Sequence, residues 1–186
     1  MEELTVKDLM VPLEEYATVS EEATLFEAVM ALEAAQGKID RTQHKYLHRA
    51  ILVLDKGGNV VGKISQMDVL RALEPKYKEL GDAVSISRVG FSPAFLKSMM
   101  EKQAFWDLPI RNVCTIAAER KVKEFMHALT EGEYIEETAS LPVAIHMLVM
   151  GHHHSLLVTS GEKIVGILRL TDVFVAVFDL MKSCKY

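Results

Sequence analysis

NVVGKISQMDVL, Asn59 to Leu70, and KIVGILRLTDVF, Lys163 to Phe174, are two versions of one pattern: a β-branched run, a glycine, and six residues after it an aspartate that opens an apolar segment. Upstream of each lies a second matched pair, ATLFEAVMAL (Ala23 to Leu32) and ASLPVAIHML (Ala139 to Leu148). A pattern that recurs in the same order along one chain is an internal duplication, and it fixes the fold reading before any other signal. Leu25, Ala28, Val29 and Leu32 fall at i, i+3, i+4 and i+7, and Leu141, Ala144, Ile145 and Leu148 repeat that spacing, so both segments predict amphipathic helices. Each is followed by two short apolar runs with a turn between them, Ala50 to Leu54 and Val60 to Ile64 in the first copy, Ser155 to Val158 and Ile164 to Leu168 in the second. Gly57, Gly58 and Gly161 supply the turn chemistry. With Ala17 to Val19 and Tyr134 to Glu136 as leading strands, and helices from Asp68 to Leu73 and from Asp172 to Met181, each copy reads as a β-α-β-β-α unit. The fold class expected is α/β: two repeats, residues 1–75 and 110–186, joined by a helical linker at 76–109.

Length and composition bound the function. The chain has 186 residues, 49% hydrophobic and 25% charged, which is the makeup of a globular protein with room for a real core. A net charge of -5 argues against nucleic acid as the main partner, since phosphate backbones are bound through a gathered Lys/Arg surplus. The most apolar run, Val173 to Leu180, is far shorter than the ~20 residues that span a bilayer, so no membrane partner is expected. Cys114 and Cys184 show no metal or redox pairing, and without a signal-peptide pattern the expected setting is reduced and cytoplasmic.

The copies also differ. The first carries an insert near Gln36 to Tyr46, rich in Lys, Arg and His, expected as a loop or a helical extension. In the second, Ile110 to Cys114 mirrors Val6 to Met10, and Lys121 to Leu129 looks helical. Between them, Glu74 to Pro109 holds Phe95, Leu96, Met99, Met100, Phe105 and Trp106, and reads as a helix packed on the repeats, with a partner-binding surface as the alternative.

The glycine-to-aspartate stretch carries the chemistry. A strand running into a helix start points backbone N–H groups and the positive end of the helix dipole outward, where an anion is favoured. Asp68 or Asp172 there can accept two hydrogen bonds from a vicinal diol, and Ser65 can donate to a phosphate oxygen, a combination that suits a ribonucleotide. The plainer reading is a capping box, because Ser65 and Asp68 stand three apart before an apolar helix. In the second copy Arg169 replaces the serine and Thr171 precedes Asp172; an arginine is unnecessary for a cap but can bind phosphate bidentately, or it is an outward-facing strand residue.

The strings HRAILVLDKGGNVVGKISQMDVL (His48 to Leu70) and HHSLLVTSGEKIVGILRLTDVF (His153 to Phe174) resemble tandem CBS domains, the modules named after cystathionine β-synthase. The short segments VKDLM and IRNVC resemble the family's lead-in. The resemblance implies two repeats packed about a pseudo-twofold axis, with clefts that in many members bind AMP, ADP, ATP or S-adenosylmethionine. It implies Asp68 and Asp172 as the ribose-binding acids and Ser65 as the hydroxyl near the phosphate, with Arg169 a departure at the second site. It further implies an adenine resting near Thr18, Val19, Ala50 and Ile51 in the first copy and near Ile135, Ser155 and Leu156 in the second.

His152, His153 and His154 invite a metal reading, but consecutive residues of an extended chain face opposite ways; proximity to nucleotide phosphates and plain turn residues are the other readings. No nucleophile elbow, P-loop, dinucleotide fingerprint or zinc-protease motif is present, and the chain is expected not to be an enzyme. The expectation is therefore a regulatory module, without a cofactor, that binds an adenine nucleotide and passes the signal to a homodimer or an unidentified protein partner. A ligand-free interaction scaffold and a metal-responsive module are the alternatives. The apolar last helix, with Val173, Phe174, Val177, Phe178 and Met181, is expected to serve a dimer contact beyond its share of the core.

Overall fold

The computed structural model describes residues 4–38, 46–73, 97, 98, 101 and 112–184. In chain order the first half comprises α1 (Val6–Leu9), β1 (Val11–Pro12), a 3-10 turn at Leu13–Glu15, β2 (Thr18–Ser20), α2 (Leu25–Lys38), β3 (Ala50–Leu54), β4 (Val60–Ser65) and α3 (Gln66–Leu73). The second half comprises α4 (Val113–Glu119), a 3-10 turn at Val122–Glu124, β5 (His127–Ala128), a 3-10 turn at Glu131–Glu133, β6 (Tyr134–Glu136), α5 (Leu141–Met150), β7 (Ser155–Ser160), β8 (Lys163–Arg169) and α6 (Leu170–Ser183). The duplicated β-α-β-β-α units are as the periodicities predict. The linker helix expected at 76–109 lies outside the described residues except at Lys97, Ser98 and Glu101, which are helical, and the insert is described only to Lys38, in α2, and from Tyr46 onward.

Two four-stranded sheets form, in the orders β2-β3-β4-β5 and β6-β7-β8-β1. In each, the leading strand runs parallel to its neighbour and the hairpin is antiparallel. The fourth strand comes from the other repeat. Val11 and Pro12 pair with Ile167 and Gly166, while His127 and Ala128 pair with Lys63 and Gly62.

This exchange corrects two expectations. Lys121 to Leu129 is not a helix but a 3-10 turn followed by an edge strand. Val122, Phe125, Met126 and Leu129 do have helical spacing, but the open edge of β4 gives the backbone of His127 and Ala128 partners that a helix would forgo. VKEFM (Val122 to Met126), and not IRNVC, occupies the place equivalent to VKDLM (Val6 to Met10). Val6 is buried in the second repeat's core and Val122 in the first's. Ile110 and Arg111 lie outside the described residues, while Val113 and Cys114 begin α4, which packs on α2 and α3.

The core follows from strand alternation. Ile51 and Val53 turn toward α2 and α3 with Ala28, Ile64 and Val122, while Leu52 between them turns the other way. In the second repeat Leu156 and Val158 join Val6, Leu141, Ala144 and Leu148 under the helices, while Leu157 joins Leu52, Val11, Tyr16 and Ile167 between the sheets. Strands buried on both faces explain the unbroken apolar runs AILVL and SLLV.

The two motif glycines exist for the exchanged strands. A Cβ on Gly166 would stand 2.5 Å from the carbonyl oxygen of Val11, and one on Gly62 would stand 2.8 Å from Met126 Sδ and 3.1 Å from the carbonyl oxygen of His127. Gly166→Ala must therefore move backbone, and a cost of about 1–3 kcal/mol is expected in urea unfolding, the usual range for overpacking. Gly62→Ala is expected to cost less, since its nearest obstacle is a flexible thioether.

Candidate functional site

At the start of α3 the capping box is complete. Ser65 donates its backbone N–H (2.8 Å) and its hydroxyl (2.6 Å) to Asp68 Oδ2, and Ser65 Oγ accepts the Asp68 N–H at 3.2 Å. One carboxylate oxygen is thus committed to the cap, and the other, Oδ1, lies 3.7 Å from Arg71 Nη1. Asp68 borders a cleft of about 270 Å³ between α3 and the exchanged segment, lined by Arg71, Ala72, Arg120, Glu124, Phe125, Met126 and His127. Arg120 spans it, donating from Nη1 to the carbonyl of Ala72 at 2.8 Å. The cleft combines two carboxylates, Asp68 and Glu124, with two guanidiniums, an imidazole and the apolar side chains of Phe125 and Met126.

At the equivalent junction before α6 the aspartate is claimed by the chain itself. Arg169 Nη2 donates to Asp172 Oδ1 at 2.7 Å and Nε donates to Oδ2, a bidentate pair. Arg169 is 5% exposed, and its Nη1 also reaches the Tyr46 carbonyl (3.0 Å) and His48 Nδ1 (3.2 Å). His48 is buried too, with Nε2 3.1 Å from the Glu15 carbonyl and its ring 4.4 Å from that of Tyr16. Burial pushes the Tyr16 phenol up to about 12, so it stays neutral beside the guanidinium. Of the two sequence readings of Arg169, an outward-facing strand residue is excluded: it braces the second motif against the first repeat. The adjoining cleft, about 740 Å³, is lined by Leu4, Leu9, Met10, Val175, Ala176 and Leu180 among apolar groups, and by Asp8, Glu15, Asp172 and Asp179.

The other expected residues fall into two groups. Ala50 pairs with Ser65 and Ser155 with Arg169, so both lie beside their motif starts, with Thr18 and Val19 one strand further on. Thr171, half-buried, is in the first turn of α6. Ile51, Ile135 and Leu156 are 1%, 5% and 1% exposed, members of the two helix-facing cores. Sequence reading missed Arg71, Arg120, Phe125 and His127; the signal available was the match of VKDLMVPL (Val6 to Leu13) to VKEFMHAL (Val122 to Leu129), which places the second lead-in against the Asp68 helix.

Within the histidine run only His153 packs inward, and His152 and His154 are exposed. His152 adopts a left-handed φ of 51°, and His153 lies over Gly151, where a Cβ would come within 2.2 Å of its ring. His153 Nδ1 is 4.0 Å from Glu133 Oε1, which also meets Lys63 Nζ at 2.8 Å and His127 Nε2 at 3.8 Å. Among the described residues no group of three His, Cys, Asp or Glu side chains is placed to hold a metal ion.

A model of the CBS domain matches residues 6–75 and 107–179, and the chain belongs to that family. Among solved structures the fold resembles the CBS-pair protein CBSX2 from Arabidopsis thaliana (TM-score 0.57, 17% identity, 98% of this chain and 99% of that one covered). It likewise resembles CBSX2 in complex with AMP (TM-score 0.57, 20% identity, 95% and 97% covered). A CBS domain-containing protein from Bacillus anthracis str. Ames Ancestor matches with TM-score 0.60 and 18% identity over 95% of this chain and 94% of that one. No curated protein matches the chain.

Removing one partner of the buried pair leaves the other charged and unmatched, so Arg169→Ala is expected to lower stability by about 3–5 kcal/mol, with Asp172→Ala added to it recovering part of the loss in the same urea titration. At Glu133, burial works to raise the carboxyl pKa, but the hydrogen bond and charge of Lys63, the Thr130 N–H and His127 together hold it below the ordinary glutamate value of 4.5. A depressed carboxyl contributes stability that is present above its unfolded value and is lost as pH falls through the folded one. The stability gap between the parent and Glu133→Gln is therefore expected to be full at neutral pH and to shrink below about pH 4.5, read by denaturant unfolding at a series of pH values.

Proposed function

We propose that this chain is a regulatory ligand-sensing module that binds an adenine nucleotide at the Asp68 cleft and passes the signal to a second copy of itself or to a protein partner. The observation that carries this reading is the pairing of Asp68, whose Oδ1 faces a cleft, with cationic and apolar side chains contributed by the exchanged segment. Asp68 receives the ribose diol; Ser65 holds the carboxylate in place through the cap and pairs with Ala50 across the hairpin. The likeness in fold to CBSX2, solved in complex with AMP, supports an adenine nucleotide as the ligand.

Transmission follows from the architecture. The cleft is bounded by α3 from one repeat and Arg120 to His127 from the other half of the chain, so a ligand that contacts both walls favours one arrangement of the repeats over another. The output surface is apolar. Val173 and Val177 pack into the core, but Phe174 (62% exposed) and Phe178 (42%) stack on the outer face of α6 beside Met181, where a second copy or a partner would be held. That same face favours, as second reading, a ligand-free interaction scaffold.

Thermal shift with AMP, ADP, ATP and S-adenosylmethionine tests the reading, since a ligand at 100 times its dissociation constant stabilises a fold by ~2.7 kcal/mol. A rise in melting temperature with an adenine compound is expected, and Asp68→Ala is expected to abolish it while costing only about 1 kcal/mol of cap stability. Full retention of the shift in Asp68→Ala would remove the assignment.

A further inference from the structure

The duplication allows the two clefts to be compared position by position. Along the motif helices Asp68 corresponds to Asp172, Arg71 to Val175 and Ala72 to Ala176; along the exchanged segments Arg120 corresponds to Leu4, Glu124 to Asp8 and His127 to Val11. The acids recur in both. Each basic position of the first cleft is aliphatic in the second, whose described lining holds no Lys, Arg or His at all. Arg169, the cation nearest the second motif, is buried and spent on Asp172, Tyr46 and His48.

We infer that the first cleft takes a phosphorylated nucleoside, with Arg71 and Arg120 as the phosphate-binding residues, and that the second cleft takes none, so that one chain binds one such ligand. The inference rests on the nucleotide reading of the Asp68 cleft and deepens it: it separates AMP-type ligands from S-adenosylmethionine, which carries a sulfonium cation in place of the phosphate.

The chemistry of the two arginines supports this. Arg71 is half exposed, and among the described residues its guanidinium meets only Asp68, at 3.7 Å, a loose contact that a ligand can replace. Arg120 uses Nη1 on the Ala72 carbonyl, which fixes the plane of the guanidinium, and among the described residues its other N–H groups meet no acceptor. A fixed guanidinium with donors to spare, beside a second, loosely held one, is suited to the bidentate binding of a phosphate. In the second cleft four carboxylates, Asp8, Glu15, Asp172 and Asp179, stand where a phosphate would need donors.

Isothermal titration calorimetry of the full chain with AMP, adenosine and S-adenosylmethionine tests the inference, together with Arg71→Val and Arg120→Leu, each of which installs the residue of the second cleft. AMP is expected to bind at one equivalent per chain. Adenosine and S-adenosylmethionine are expected to bind about 10- to 100-fold more weakly, the loss of a charge-assisted contact. Each substitution is expected to weaken AMP by a similar factor while leaving adenosine unchanged. Because Arg120→Leu also removes the bond to Ala72, Arg71→Val is the decisive variant if the former fails to fold. Adenosine binding as tightly as AMP, or AMP binding unaltered by Arg71→Val, or two equal equivalents of AMP per chain would overturn the inference and leave the nucleotide reading standing. Absence of binding by all three probes would overturn that reading and the inference with it.

Discussion

Everything in this structure depends on two stretches of two residues each crossing from one repeat to the other. Val11–Pro12 completes the sheet of the second repeat and His127–Ala128 that of the first. An unpaired sheet edge leaves a row of backbone donors and acceptors to be satisfied, and the exchange closes one edge of each sheet with the other repeat's chain. The close approach leaves no room for a Cβ at Gly166 and little at Gly62, which is why a glycine stands at the same place in both motifs. The crossing also draws Val6 and Val122 into the opposite cores and sets the walls of both clefts, so fold and site share one origin.

How far this could be read from the chain varies with the range of the interaction. The strands, the motif helices and their apolar faces are local: the short unbroken apolar runs AILVL and SLLV and the i, i+3, i+4, i+7 spacing from Leu25 and from Leu141 are set by neighbours in sequence. The exchanged strand was hidden because Val122, Phe125, Met126 and Leu129 carry a helical period; a short edge strand gains its stability from the partner it meets, not from its own composition. Arg169 was ambiguous for a similar reason. Its fate is decided by His48 and Tyr46, distant in sequence, and no local pattern announces that a guanidinium will be buried. The capping box of Ser65 and Asp68, by contrast, is visible in the spacing, and it is compatible with the proposed ligand role because the cap takes one carboxylate oxygen and leaves the other beside Arg71.

The duplicated motif has thus diverged in chemistry while keeping its geometry. In the first copy the aspartate is locked by a small hydroxyl and faces cations borrowed from the other half of the chain. In the second the hydroxyl has become an arginine that turns inward, satisfying the aspartate and joining the two repeats through a buried polar cluster. Among the described residues no buried side-chain polar atom is left without a partner, so that cluster is complete as it stands. One motif borders a cleft with its aspartate free of an internal guanidinium clamp, the other serves a structural duty, and the two exposed phenylalanines of α6 take part in neither.

The reciprocal crossing of lead-ins is the topology of a domain-swapped dimer written into one polypeptide. Two identical single-repeat chains that traded their first segments across a twofold axis would form the same two sheets, each closed by the other's edge strand. Covalent fusion turns that association from a concentration-dependent encounter into an intramolecular one, with an effective concentration set by the connecting segment. It also frees the halves from symmetry. Once both copies reside in one chain, a substitution such as serine to arginine falls on one side only, so two equivalent junctions can diverge until one borders an arginine-lined cleft and the other is a brace.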